Sequence, residues 1–101
     1  MIWLVSYDIS NNKYRKRLSD KLIYFGLERL QKSVFIGDIS YLNKSKLYKY
    51  FVILQKEMLE QDDKIFCTSL SKNELKKSNF IGGISADEIE SIAGRKKVQI
   101  Y

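Results

Sequence analysis

The chain has 101 residues, 45% of them hydrophobic and 13% aromatic, with 18 Lys/Arg against 12 Asp/Glu and a formal net charge of +6. That length fits one small domain spanning 1–101, and the apolar content excludes a disordered tail. The absence of histidine and the lone Cys67 exclude His general bases, Ser–His and Cys–His pairs, His-ligated zinc and an intramolecular disulfide. Any metal is therefore expected on oxygen ligands, which favours Mg²⁺ or Mn²⁺. The charge is uneven: residues 1–50 carry ten Lys/Arg and four Asp/Glu, and residues 51–101 carry eight of each. A one-sided basic excess points to a polyanion partner, nucleic acid first, with a generally lysine-rich proteome as the alternative. The start "MIWLVSYD" lacks the basic front of a signal peptide, and no apolar run approaches membrane length. A cytoplasmic protein with no membrane partner is expected.

In chain order, residues 2–9 ("IWLVSYDI") read as a strand. Period-2 alternation puts Trp3, Val5, Tyr7 and Ile9 on an apolar face that should pack against helices. Ile2, Leu4, Ser6 and Asp8 share the other face, which starts apolar and ends polar, as a partly open or subunit-facing surface does. Asn11 and Asn12 are helix caps for a first helix over about 12–25, with Leu18, Leu22 and Phe25 at i, i+4, i+7 and Gly26 just past its end. "RLQKSVFIGDI" (29–39) reads as a strand, with Leu30, Val34 and Ile36 on one face and Arg29, Gln31, Ser33 and Phe35 on the other. Gly37 either kinks this run or starts a second short strand. Periodicity assigns the polar-plus-aromatic face, with Arg29 and Phe35, to the same open side as Asp8.

Residues 43–60 form the clearest helix, with Leu47, Phe51, Leu54 and Met58 along its buried stripe and Lys44, Lys46 and Lys49 snorkelling or facing water. "KIFCTSL" (64–70) is a strand in which Cys67 is a small interior residue. A weaker strand over 78–85 with a Gly82–Gly83 bend, a short helix or irregular stretch over 86–94 and a terminal strand over 96–101 complete the chain. The order predicts an α+β, ferredoxin-like β-α-β-β-α-β sandwich with an extra C-terminal strand and its helices on one sheet face. An uncovered sheet face in so small a domain invites a two-fold dimer, which brings the same patch of each subunit together.

"YDIS", then "RKR" in the first helix, then "GLERLQKSVFIGDI", resemble the small CRISPR-associated endoribonuclease family, the second of the two core spacer-acquisition proteins. The match is tightest over residues 1–40 and looser in the C-terminal third. The resemblance implies a ferredoxin-like homodimer in which the aspartate ending the first strand, here Asp8, lies at the subunit interface and is assigned to divalent metal. It also carries over Tyr7, the helix arginines Arg15 and Arg17, the strand-opening Arg29 and the "SVF" phenylalanine Phe35. Lys32 stands where many members have tyrosine. The terminal strand "KKVQIY" is implied to pair with the other subunit or with the CRISPR integrase.

One carboxylate is a poor metal site, but Mg²⁺ usually keeps several waters with one or two carboxylates, and a dimer supplies Asp8 twice. Such a site suits Mg-dependent phosphodiester hydrolysis of RNA or DNA, with Arg15, Arg17 or Arg29 on the phosphate chain. Arg15 and Arg17, two residues apart, lie on roughly opposite helix faces and do not form one clamp. Taken singly these residues have plainer roles: Asp8 as a strand-end carboxylate capping a turn, Tyr7 as core, Phe35 as interface packing, Arg17 as a solvated helix residue. Two further readings stand beside the nuclease: a non-catalytic DNA-binding adaptor that bridges integrase subunits through backbone contacts, and a VapD-type ribonuclease toxin of the same fold.

Overall fold

Alternating apolar and polar residues in "IWLVSYD" make a strand with one fully buried face, and that strand, β1 (Ile2–Asp8), becomes the centre of the sheet. The computed structural model describes residues 2–57, 62–79 and 81. After β1 come α1 (Asn12–Tyr24), β2 (Glu28–Gln31), β3 (Val34–Asp38), α2 (Tyr41–Glu57), β4 (Lys64–Leu70) and the short α3 (Lys72–Lys77). The sheet order is β2-β3-β1-β4, and each neighbouring pair is antiparallel. This is the ferredoxin-like arrangement expected from the element order.

Trp3, Val5, Tyr7 and Ile9 are all buried, as their alternation requires. They pack with Leu18 and Leu22 of α1 and with Leu47, Phe51 and Leu54 of α2. Trp3 stacks on Phe51 at a 5.9 Å centroid separation. Phe25, the expected end of the α1 stripe, is half-buried and forms the C-cap. Gly26 follows with φ +101°, a left-handed conformation that costs glycine nothing. Cys67 is half-buried against the same core, and burial pushes its thiol pKa up despite Lys44 nearby. It is a packing residue and not a nucleophile.

The run 29–39 is not one strand. It is a hairpin whose turn is Lys32–Ser33, not a kink at Gly37. A register shift between Arg29 and Gln31 accompanies the turn. Of the residues that announce tight turns this one contains only Ser33, among the weakest of them, so the sequence carries little local mark of it. Arg29 stays with Phe35, and Leu30 with Val34 and Ile36, but the faces are reversed and the register shift moves Gln31 to the side of Val34. Phe35 pairs with Val5, so Phe35 lies on the helix-covered side with no exposed surface, and Arg29, paired with Phe35, lies there too. Directly paired residues of an antiparallel ladder share a face, so neither can share the open side with Asp8.

The opposite face is partly covered. Leu75 of α3 packs on Ile2 and Ile36, with Leu4, Leu30 and Leu70 around them. This helix is announced by a capping box: the Ser71 hydroxyl accepts from the Glu74 amide, and the Glu74 carboxylate accepts from the Ser71 amide. Beyond α3 the face opens around Ser6, Asp8 and Phe66, the last 61% exposed. In the span read as a weak strand over 78–85, Ser78, Asn79 and Ile81 are not in a strand. The rest of that span, the stretch 86–94, the strand over 96–101 and Met58 lie outside the described residues. Among the described residues, no helix is long and apolar enough to cross a membrane.

Candidate nucleic-acid interface

The chain reverses sharply after Asp8, and two side chains hold the reversal. Asn11 caps α1, its side-chain oxygen accepting from the amides of Lys13 and Tyr14 at 2.9 and 3.2 Å. Asp63, just before β4, accepts from both the amide and the hydroxyl of Ser10 at 3.0 and 3.1 Å. The capping role open to Asp8 is thus filled by other residues. The Asp8 carboxylate is exposed and has no hydrogen bond or ion pair among the described residues. It stands across from Lys64 in the β1–β4 register.

Tyr7 points the other way. Its ring is buried and stacks on Phe35 at 6.1 Å, and the Arg29 guanidinium covers the Phe35 ring at 5.1 Å. Among the described residues the Tyr7 hydroxyl has no hydrogen-bond partner, and no buried polar side-chain atom is left unpaired. The hydroxyl is therefore the part of Tyr7 that reaches the surface. It does so in a cleft of about 380 Å³ between α1 and the β2–β3 hairpin, where Arg15, Arg29, Lys32 and Ser33 also converge. Burial pushes the Tyr7 pKa up, while Arg29 and Arg15 pull against it. At neutral pH the hydroxyl keeps its proton and can donate to an anion.

Three cations without an ion-pair partner among the described residues, Arg15, Arg29 and Lys32, thus surround one phenol donor. Asp20 also lines the cleft, but Lys16 neutralises it at 3.0 Å. Such a concavity suits a phosphate group: guanidinium forks and a neutral donor can engage several of its oxygens. Lys32 enters through the hairpin turn. It is an anomaly when 29–39 is read as one strand and a cleft residue once the turn is known.

The structure brings Tyr7, Arg15, Arg29 and, beneath them, Phe35 together. It does not bring Arg17 to them. Arg17 lies over the Tyr14 ring at 5.9 Å and lines a separate groove with Tyr24 and Tyr50. This agrees with the two helix arginines acting apart, as a rotation of about 200° between them requires. Asp8 follows Tyr7 directly but projects from the other sheet face. Among the described residues there is no group of three or more His, Cys, Asp or Glu side chains that could hold a metal.

Residues 1–93 match the family model described as CRISPR associated protein Cas2. The chain is 34% identical over 74 residues to "CRISPR-associated endoribonuclease Cas2 1" of Francisella tularensis subsp. novicida, covering 73% of this chain and 72% of that protein. It is 32% identical over 79 residues to "CRISPR-associated endoribonuclease Cas2" of Korarchaeum cryptofilum, covering 78% and 82%. The crystal structure of Streptococcus pyogenes Cas2 at pH 6.5 superposes with a TM-score of 0.66 at 23% identity, over 81% of this chain and all of that one, which supports the fold. A chain of a partial Cas6-RT-Cas1–Cas2 complex superposes with a TM-score of 0.57 at 27% identity, over 81% and 91%. With the family model spanning nearly the whole chain and the fold in agreement, this protein belongs to the CRISPR-associated Cas2 family.

Proposed function

We propose that the protein is a nucleic-acid-binding homodimer of CRISPR spacer acquisition, active in the cytosol, that hydrolyses phosphodiester bonds of RNA or DNA with Mg²⁺ or Mn²⁺. The observation that carries this reading is the pair of features back to back at the end of β1. The cationic cleft of Tyr7, Arg15, Arg29 and Lys32 lies on one side, and the exposed Asp8 carboxylate, without a partner among the described residues, on the other. The name endoribonuclease borne by the relatives supports the enzymatic half of it. An exposed carboxylate with no competing partner among the described residues fits a water-rich Mg²⁺ site, in which one or two carboxylates suffice. When bound, the metal would polarise a phosphoryl oxygen and lower the pKa of a bound water. This chain's own part is then to offer Asp8 from a rigid strand end and to hold the phosphate chain on Arg15 and Arg29.

The test is cleavage of labelled RNA and DNA by the native protein, by Asp8→Ala and by the native protein in EDTA. Loss of cleavage in both perturbed cases with the dimer intact is expected. Cleavage that survives Asp8→Ala sinks the assignment of Asp8.

A second reading has its own support. Asp8 and the cationic cleft face opposite ways, so a strand held in the cleft need not touch the carboxylate. That arrangement suits an adaptor that grips duplex backbone and spaces integrase subunits, and a structurally similar chain is found in a complex with Cas1. On this reading Asp8→Ala still supports spacer integration with the integrase. The family match leaves no observation in favour of a VapD-type toxin.

A further inference from the structure

The charge of α1 does not all serve the cleft. The helix carries five Lys/Arg and one Asp, and Arg17, Lys21 and Tyr24 recur at i, i+4, i+7 on a different stripe from Arg15. Tyr50 of α2 faces that stripe, and the four side chains line a groove of about 530 Å³ between the helices. Lys21 sits between the two rings, 5.9 Å from the Tyr24 centroid and 5.1 Å from that of Tyr50. Tyr24 is 79% exposed. Phe25 meets it edge-on, at 5.3 Å and 82°, so the ring is propped upright while much of it stays in water. The last carbonyls of α1 are satisfied locally, by the amides of Phe25, Gly26 and Leu27. Asp20, which also borders the groove, is neutralised by Lys16.

An exposed aromatic side chain on a soluble domain gains little from water, and this one is braced and flanked by cations. We infer that the α1–α2 groove is a second nucleic-acid contact, which takes single-stranded RNA or DNA by stacking a base on Tyr24 while Arg17 and Lys21 hold the adjoining phosphates. The inference rests on the nucleic-acid reading above but concerns a surface separate from the cleft. A duplex cannot use Tyr24 in this way, because its bases are already stacked inside. Cations beside an aromatic face are the combination by which single strands are held with little regard to sequence. An acidic peptide would use the charge of the groove and leave the ring without a role.

The test is a fluorescence-anisotropy titration in EDTA, so that strands stay whole. It uses a short labelled single strand, an abasic strand of equal length, the matching duplex and a polyglutamate peptide. The native protein should bind the base-bearing strand more tightly than the abasic one. Tyr24→Ala should weaken the base-bearing strand by at least about fivefold and leave the abasic strand and the duplex unchanged. Tyr24→Phe, which keeps the ring, should restore binding. Because Tyr24 is largely exposed, neither variant should alter the thermal unfolding followed by Trp3 fluorescence. Equal affinity of Tyr24→Ala and native protein for the single strand would overturn the inference. So would an equal loss with the abasic strand, or a Tyr24-dependent affinity for polyglutamate, which would mark a protein partner. Duplex binding that persists in any of these cases leaves the function proposed above standing. If native protein binds neither strand nor duplex, both readings fall.

Discussion

Asp8 stands on the open face of the sheet and Phe35 under its helices, and each placement can be measured. Asp8 is exposed and has no partner among the described residues, so Asp8→Asn should change stability by less than about 0.5 kcal/mol while removing cleavage. Urea unfolding beside an activity assay separates the two effects. Phe35 has no exposed surface and lies under Arg29 and against Tyr7. Phe35→Ala should cost about 3–5 kcal/mol in the same unfolding experiment, as large-to-small changes in a packed core do. A loss below about 1 kcal/mol would mean that Phe35 is a surface platform after all. Gly37 makes a third case. A Cβ there would lie 2.8 Å from the Gly26 carbonyl oxygen and 3.0 Å from the Leu27 Cα, both backbone atoms that cannot rotate away. Gly37→Ala is expected to destabilise by about 1–3 kcal/mol, the range for overpacking. The strand position of Tyr7 and Asp8 was legible because β1 alternates without interruption. The side taken by Arg29 and Phe35 was not, because it depends on which β1 residue each one pairs with, and a two-residue turn with little turn chemistry hides that register.

At the scale of elements, β1, α1, α2 and β4 could be read to within a few residues because each carries a sustained period or a start signal. For β4 the reading and the structure agree over Lys64–Leu70. The short α3 has only one buried side chain, Leu75, so it has no stripe to detect. Its signal is chemical instead: Ser71 followed three residues later by Glu74. Ser71→Ala should cost about 1 kcal/mol. The Ser71 amide, donating to the Glu74 carboxylate, and next the Ser71 side chain beside it hold the Glu74 carboxyl pKa below its ordinary value. A depressed folded pKa contributes stability above the ordinary value, and that contribution disappears as the pH falls through the folded one. Between about pH 6 and pH 3, native protein should therefore lose the α3 contribution progressively, and Glu74→Gln should show a flatter profile in unfolding experiments. A steeper profile for Glu74→Gln would contradict the box.

For the whole molecule, the net charge of +6 and its concentration in the first half are visible in composition alone, and the structure places much of it on α1. Affinity for nucleic acid should fall steeply with salt, roughly tenfold or more between 50 and 200 mM if several phosphates are neutralised. A flat response would count against phosphate binding by either the cleft or the groove. The open patch around Ser6, Asp8 and Phe66 is the surface a two-fold partner would cover. Phe66→Glu should shift the protein toward monomer in sedimentation velocity and, if cleavage needs Asp8 from both subunits, remove activity in the same step. A dimer unaffected by Phe66→Glu would place the interface elsewhere. Composition announced a polyanion partner, but the division into a cleft and a groove could not be read from it. That division depends on how α1 is rotated over the sheet.

The bond between Ser10 and Asp63 joins residues 53 positions apart. The turn that follows Asp8 is therefore secured by a segment far from β1 along the chain. Sub-global opening of β4, the last strand of the sheet among the described residues, would release the Ser10 amide before the β1–β3 pairing is disturbed. In hydrogen–deuterium exchange, Ser10 should then exchange with the amides of β4 and with the β1 amides that bond β4, ahead of the β1 amides that bond β3. Any ligand that tightens β4 would quiet the Asp8 turn from the far side of the chain.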